Sequence, residues 1–269
     1  MMMFTTYWEL QFDPFTKSAP CKRPFESEDF KQATARLKHL HDIKGIGLFT
    51  GTAGSGKTYT LKKFAGSLDP SLYKVFYLPL STITNLEFFR ALALGLGIDP
   101  PYKKIDIFNA IQERILSLSK DKRITTVIIL DEGQYLSTKI LNDLKIILNF
   151  DMDHENHAVI VMAGQPTLAN TLSMNAHEPL AQRIVINYAF CGLSKDEVQG
   201  YIDSKLRSCG AVGSLFAENA LEALWGCSGG SPRKIDPLAD KCLMIGFQKN
   251  AKVIDTEIVM LADNEISLN

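Results

Sequence analysis

Gly51-Thr52-Ala53-Gly54-Ser55-Gly56-Lys57-Thr58 decides how the rest of this chain is read. The stretch follows a short apolar run at 46–50 and opens an amphipathic segment, so the pattern G-x-x-x-x-G-K-[ST] falls between an expected strand and an expected helix. Glycines there let backbone N–H groups close around phosphates, Lys57 reaches the outer phosphates, and the Thr58 hydroxyl can hold Mg²⁺. The positive end of the following helix adds to the anion site. These residues, with Tyr59 directly behind them, are expected to bind a nucleotide. The competing reading, a glycine-rich turn without chemistry, leaves the strand before it and the helix after it unexplained.

Working outward, strand-like and helix-like stretches alternate from Gly45 to Phe190. Strands are expected at 45–50, 74–80, 124–130 and 158–163, with a short one within 183–190. The run 124–130 is so uniformly apolar that it should be buried on both faces, as in a parallel sheet covered by helices. Helices are expected at 57–67, after the capping box Thr84-x-x-Glu87, and after Pro100-Pro101 with Ile105, Phe108, Ile111, Ile115 and Leu118 inward. Another follows Ser137 or Thr138, with Ile140, Leu141, Leu144, Ile147 and Leu148 inward. Upstream, Tyr7, Trp8, Phe12, Phe15 and Phe25 among prolines make an irregular aromatic arm, which would pack on the body, wall an adenine ring or stack on bases. Ser27 caps a helix at 28–42 that Gly45 stops.

Beyond Phe190 the pattern turns helical, with a second capping box at Ser194 and Glu197, a helix at 216–225 ended by Gly226, and a last one within 237–247. The predicted fold is an α/β P-loop NTPase with a five-stranded parallel sheet between helices, followed by a small α-helical lid. The domains are expected at 1–44 (arm and helix), 45–190 (nucleotide-binding α/β domain) and 191–269 (lid).

A chain of 269 residues with 46% hydrophobic and 22% charged residues is ordinary for a soluble protein. Its net charge of −1 excludes a global basic field, so any nucleic-acid contact must come from a local patch. The five cysteines, with no C-x-x-C pair, read as reduced, buried thiols of a cytoplasmic protein. No apolar run is long enough to span a membrane.

The expected strand at 124–130 ends in Asp131-Glu132. An acid at a buried strand tip is costly without a cation to serve, which Mg²⁺ bound with nucleotide would supply. Asp131 would hold the metal with Thr58, and Glu132 would polarise the attacking water. The alternative is a capping pair for the next helix. His154 and His157 with Asp151, Asp153 and Glu155 match no familiar metal spacing and read as a solvated loop.

The ordered set Pro14-Phe15, the phosphate loop, Asp131-Glu132, Ala163-Gly164-Gln165-Pro166, Leu180-Ala181-Gln182-Arg183-Ile184, Leu193-Ser194 with Glu197 and Tyr201, and Gly230-Ser231-Pro232-Arg233 resembles an AAA+ ATPase of the ExeA-like group. Within it the chain is most similar to transposition helper ATPases of the TnsC, TniB and IstB kinds. The resemblance implies that Gln165 is a first sensor at the γ-phosphate, that Arg183 reaches a neighbouring subunit's site as a finger, and that Arg233 is a second sensor in the lid. A strand-end turn for Gln165 and surface salt bridges for the arginines are the alternatives. Asp236-Pro237 departs from the family pattern and should interrupt or kink the helix of the second sensor.

The resemblance further implies Mg²⁺-dependent ATP hydrolysis in a homo-oligomer with shared sites, controlling assembly on double-stranded DNA and recruitment of a transposase. Secretion-type relatives continue into a membrane helix and origin-binding relatives into a winged helix; neither is expected in this chain. DNA contacts are expected at Ser81, Thr82 and Thr84 or at Lys103-Lys104. The alternative role is an ATP-driven switch or scaffold that works through protein partners.

Overall fold

The computed structural model describes residues 3–16, 25–79, 83–147, 156–211 and 213–267. The chain forms two compact units, one of Gln32–Thr52 and Lys57–Phe190, the other of Met1–Lys31, Ala53–Gly56 and Cys191–Asn269.

The first unit is a five-stranded parallel sheet of β1 (Gly45–Gly51), β2 (Tyr73–Pro79), β3 (Thr125–Asp131), β4 (Ala158–Gly164) and β5 (Ile184–Phe190), in the order β2-β3-β4-β1-β5. Every residue of β1 and β4 is buried, as expected of strands covered on both faces. Side chains alternate between two cores. Ile46, Leu48, Ile128, Leu130, Ile160 and Met162 face one side; Phe49, Val127, Ile129, Val159 and Val161 face the other. The second face is covered by α2 (Glu28–Ile43), through Ala33, Leu37 and Leu40, and by α3 (Lys57–Ser67), through Leu61 and Phe64. The first is covered by α4 (Asn85–Gly95), α5 (Lys104–Leu116) and α6 (Thr138–Ile147), with the short α7 (Pro166–Leu172) and α8 (Glu178–Ala181). Each fully buried Leu, Ile or Phe contributes roughly 1.5–3 kcal/mol, so this double layer is what fixes the strand tips in place.

Local signals set the helix ends. Ser27 Oγ accepts from the Phe30 N–H at 3.2 Å, and Thr84 and Glu87 form the full capping box. Ser137 caps α6, accepting from the Ile140 N–H at 3.4 Å. Lys44 at φ 56° and Gly45 at φ 111° together turn the chain out of α2. In α5 the inward residue is Ile107; Ile105 lies in the first turn and is 61% exposed. The helix closes through a π turn at Ser117–Asp121 that buries Leu118. Leu148 lies outside the described residues.

In the second unit, α1 (Met3–Tyr7) gives the arm a regular start where only irregular chain was expected. Phe4, Trp8, Leu10 and Phe15 are buried among α9 (Lys195–Ser208), α10 (Glu218–Ser228), α11 (Pro232–Gln248) and α12 (Thr256–Ser267). Trp8 Nε1 donates to the Leu243 carbonyl at 2.9 Å and the Tyr7 hydroxyl to that of Ala251 at 2.8 Å. Phe4, Trp8, Leu10 and Phe15 of the arm are therefore core. Asp29 holds the start of the C-terminal segment, accepting from the Cys191 and Gly192 N–H groups at 2.8 Å each.

Three expectations change here. α10 runs through Gly226 and ends at Gly229, whose φ of 59° and bond to the Trp225 carbonyl make the stop. α11 begins at Pro232 and continues through Pro237. α12 has no counterpart in the sequence reading. Cys209 and Cys242 are buried and burial pushes the Cys242 thiol up to about 12, but Cys191 is exposed. Cys21 lies outside the described residues, among which no helix is long and apolar enough to cross a membrane.

Candidate nucleotide site

The carboxyl edge of the sheet gathers the residues singled out in the sequence. Gly51 closes β1, Asp131 closes β3, and Gln165 follows β4, where Gly164 pairs with Thr50. Ligands of open parallel sheets bind beyond this edge.

Lys57 opens α3 and is 7% exposed; its Nζ donates to the carbonyls of Gly51 at 2.7 Å and Thr52 at 2.8 Å. The ammonium thus lies folded over the loop that would hold phosphates. Gly54 and Gly56 adopt φ of +83° and +97°, which L-residues rarely take. Ser55 Oγ is buried without a hydrogen-bond partner. A buried hydroxyl left in that state costs roughly 1–3 kcal/mol, which an anion in the loop would recover. Tyr59 turns its ring outward on α3, 40% exposed, with Lys63 Nζ 5.8 Å from the ring centre.

Asp131 is 2% exposed, and Oδ2 accepts from Thr58 Oγ1 at 2.7 Å and from the Tyr77 hydroxyl at 2.6 Å. Its Oδ1 accepts from the Glu132 N–H at 2.9 Å. Burial first, then the hydrogen bond to Asp131 and the nearby carboxylates, push the Tyr77 phenol well above its usual range, so it stays a donor. A hydroxyl and a carboxylate side by side are the hard oxygen donors that Mg²⁺ takes, one or two from protein and the rest from phosphates and water.

Glu132 holds a left-handed backbone at φ 59°, an uncommon state for a residue with a side chain and one that clusters at functional sites. Its Oε2 accepts from Gln134 Nε2 at 2.7 Å, and Gln134 Oε1 accepts from the Gln165 N–H at 3.0 Å. The sequence reading missed Tyr77 and Gln134. The available signal for Gln134 was an amide two residues beyond the strand-tip acid; for Tyr77 it was a hydroxyl near the end of the neighbouring strand.

Arg183 is placed elsewhere. It precedes β5, where Ile184 pairs with Ile46, and its guanidinium donates to the Lys145 carbonyl at 3.1 Å. With β1 rising about 3.3 Å per residue, Arg183 lies about 20 Å from the edge that carries Gly51.

In the second unit, Arg233 stands in the first turn of α11 against the loop segment Ala53–Gly56. A Cβ at Gly54 would fall 2.5 Å from Arg233 Cβ and 2.7 Å from Ser231 Oγ, so only glycine allows this approach. Pro237 lies beyond Arg233 in the same unbroken helix and removes only the N–H that would bond the Arg233 carbonyl.

Other expected contacts fare differently. Thr84 is engaged in its capping box, and Lys104 pairs with Asp143 at 2.5 Å. Lys103 is exposed, while Ser81 and Thr82 lie outside the described residues. His157 is 3% exposed and meets Ser119 at 3.3 Å rather than lying in solvent; Asp151, Asp153, His154 and Glu155 lie outside the described residues.

Residues 40–172 match the family model of an AAA domain. Among curated proteins, General secretion pathway protein A of Aeromonas hydrophila is 30% identical over 98% of this chain, and the chain spans 49% of that relative's length. Among solved structures, Cdc6p from Pyrobaculum aerophilum aligns with a TM-score of 0.67 at 17% identity, over 94% of this chain and 70% of that one. Drosophila ORC bound to DNA gives 0.64 at 17% identity, over 96% and 64%. The Thermotoga maritima RuvB Holliday junction branch migration motor gives 0.57 at 16%, over 90% and 70%. These likenesses show the fold: a P-loop sheet of the AAA type followed by helices. Residues 40–172 are thus similar to an AAA domain, and nearly the whole chain is similar to a secretion-pathway protein of about twice its length.

Proposed function

We propose that this protein hydrolyses ATP to ADP and phosphate with Mg²⁺, and that the reaction controls the assembly of several copies whose sites are shared. The observation that carries the reading is the separation just described: Lys57, Thr58, Asp131, Glu132 and Gln165 share one edge of the sheet, and Arg183 occupies the other. An arginine so placed serves a second subunit. Phosphoryl transfer is catalysed mainly by positioning and by countering charge on the phosphate oxygens, which is what these residues supply. Lys57 and the loop N–H groups bind the phosphates, Glu132 takes the proton of the attacking water, and Gln165 orients it. Arg183 of the neighbour stabilises the outgoing charge, and Arg233 ties the C-terminal helices to the loop. Bound Mg²⁺, held by Thr58 and Asp131, would neutralise charge on the outer phosphates.

What the switch acts on has two readings. In the first, it assembles on duplex DNA as a transposition helper and recruits a transposase; the motif order supports it, and Lys103 is the exposed contact. In the second, it works in the cytoplasm through protein partners. The secretion-pathway relative, matched over nearly the whole chain, favours this. ATPase rates of the purified protein with and without duplex DNA, at two salt concentrations, separate them. Salt-sensitive stimulation supports the first reading; indifference to DNA removes it.

A further inference from the structure

Gln134 does something that neither the strand-tip acid nor the β4 tip does alone. Its amide bridges the two, giving an N–H to Glu132 Oε2 at 2.7 Å and accepting the Gln165 N–H on Oε1 at 3.0 Å. The orientation of the amide is forced, because a backbone N–H needs an acceptor and a carboxylate needs a donor. The backbone around it is shaped to admit it. A Cβ at Gly164 would lie 2.8 Å from Gln134 Oε1 and 3.2 Å from Gln134 N, and one at Gly133 would lie 2.8 Å from Leu168 Cδ2 and 3.1 Å from the Ala163 carbonyl. Two glycines therefore let the segment after β3 press against the end of β4 with the amide in between. Glu132, next in line, is held at φ 59°.

We propose that Gln134 is a positioning residue that couples the carboxylate of Glu132 to the tip of β4, so that displacement of Gln165 by the terminal phosphate is passed to the base. The proposal rests on the reading of Glu132 as the base. Only a side chain that both donates and accepts can make this link. Glutamate keeps the acceptor but sets a like charge against Glu132, and leucine has neither function.

The test compares full-length wild type, Gln134→Leu, Gln134→Glu and Glu132→Gln under saturating Mg²⁺, measuring kcat, KM and the Kd of a fluorescent ATP analogue. With Glu132→Gln inactive, Gln134→Leu and Gln134→Glu are expected to lower kcat on the order of 10- to 100-fold, the effect of misplacing a reacting group by about 1 Å, while KM and Kd stay within about 2-fold. Gln134→Glu keeps the bond to Gln165 and so serves if the leucine variant fails to fold. Wild-type kcat in either folded variant, or equal losses in kcat and nucleotide affinity, overturns the proposal. Full hydrolysis by Glu132→Gln instead overturns the underlying assignment of the base.

Discussion

The Tyr77 hydroxyl donates to Asp131 Oδ2 at 2.6 Å, the same oxygen that accepts from Thr58 at 2.7 Å. The two donors, from β2 and the start of α3, hold the same carboxylate oxygen, and groups that orient a metal ligand typically change metal affinity 10- to 100-fold when removed. Tyr77→Phe should therefore raise the Mg²⁺ concentration for half-maximal hydrolysis by about 10-fold. A titration of activity against Mg²⁺ at saturating ATP reads it, and an unchanged midpoint removes Tyr77 from the metal site.

Lys57 carries a buried charge over loop carbonyls that a triphosphate would replace with a far better partner. Truncating one member of such a pair costs roughly 2–5 kcal/mol, so Lys57→Ala should weaken ATP binding by at least about 30-fold. Equilibrium binding of a fluorescent analogue checks this, with the melting temperature confirming that the variant is folded.

Asp240, on α11, is pushed up to about 6 from an ordinary 3.8, first by burial, then by the Asp13 carboxyl beside it, against a smaller opposing effect of Lys241. The folded state thus binds this proton more tightly than the unfolded state. Its contribution to stability is full below about pH 4 and is lost as pH rises through about 6. Asp240→Asn should leave melting unchanged near pH 4 and raise it near pH 8, flattening the profile between them. A variant that melts in parallel with wild type across this window contradicts the reading.

Trp8 is 6% exposed and bonded to the Leu243 carbonyl, tying the arm to α11. Trp8→Ala should cost about 3 kcal/mol or more of stability, measured by urea unfolding. A loss under about 1 kcal/mol would mean that the arm packs without bearing on the fold.

β1, β3 and β4 are legible because parallel strands buried on both faces leave uniform apolar runs, and the loop because its glycines and lysine are contiguous. Pro237 does not interrupt α11, because the buried Ile235, Leu238, Ala239 and Cys242 hold the helix on either side of it against the loss of one hydrogen bond. α12 was missed because exposed Met260 and Leu261 interrupt the pattern of buried Ile258, Val259 and Ala262. Tyr77 and Gln134 stayed hidden for another reason. The first meets Asp131 across 54 positions and the second meets Gln165 across 31, and local periodicity carries no record of such contacts.

The arginine completing each site is proposed to come from a neighbour, and mixing two inactive variants tests this most directly. Arg183→Ala subunits keep Glu132, and Glu132→Gln subunits keep Arg183. In a mixed assembly some interfaces pair an intact Glu132 with an intact Arg183. An equal mixture under assembling conditions is predicted to recover about a quarter of the wild-type rate, as random pairing around repeated head-to-tail interfaces requires. A mixture as inactive as its two components would contradict a site shared between subunits.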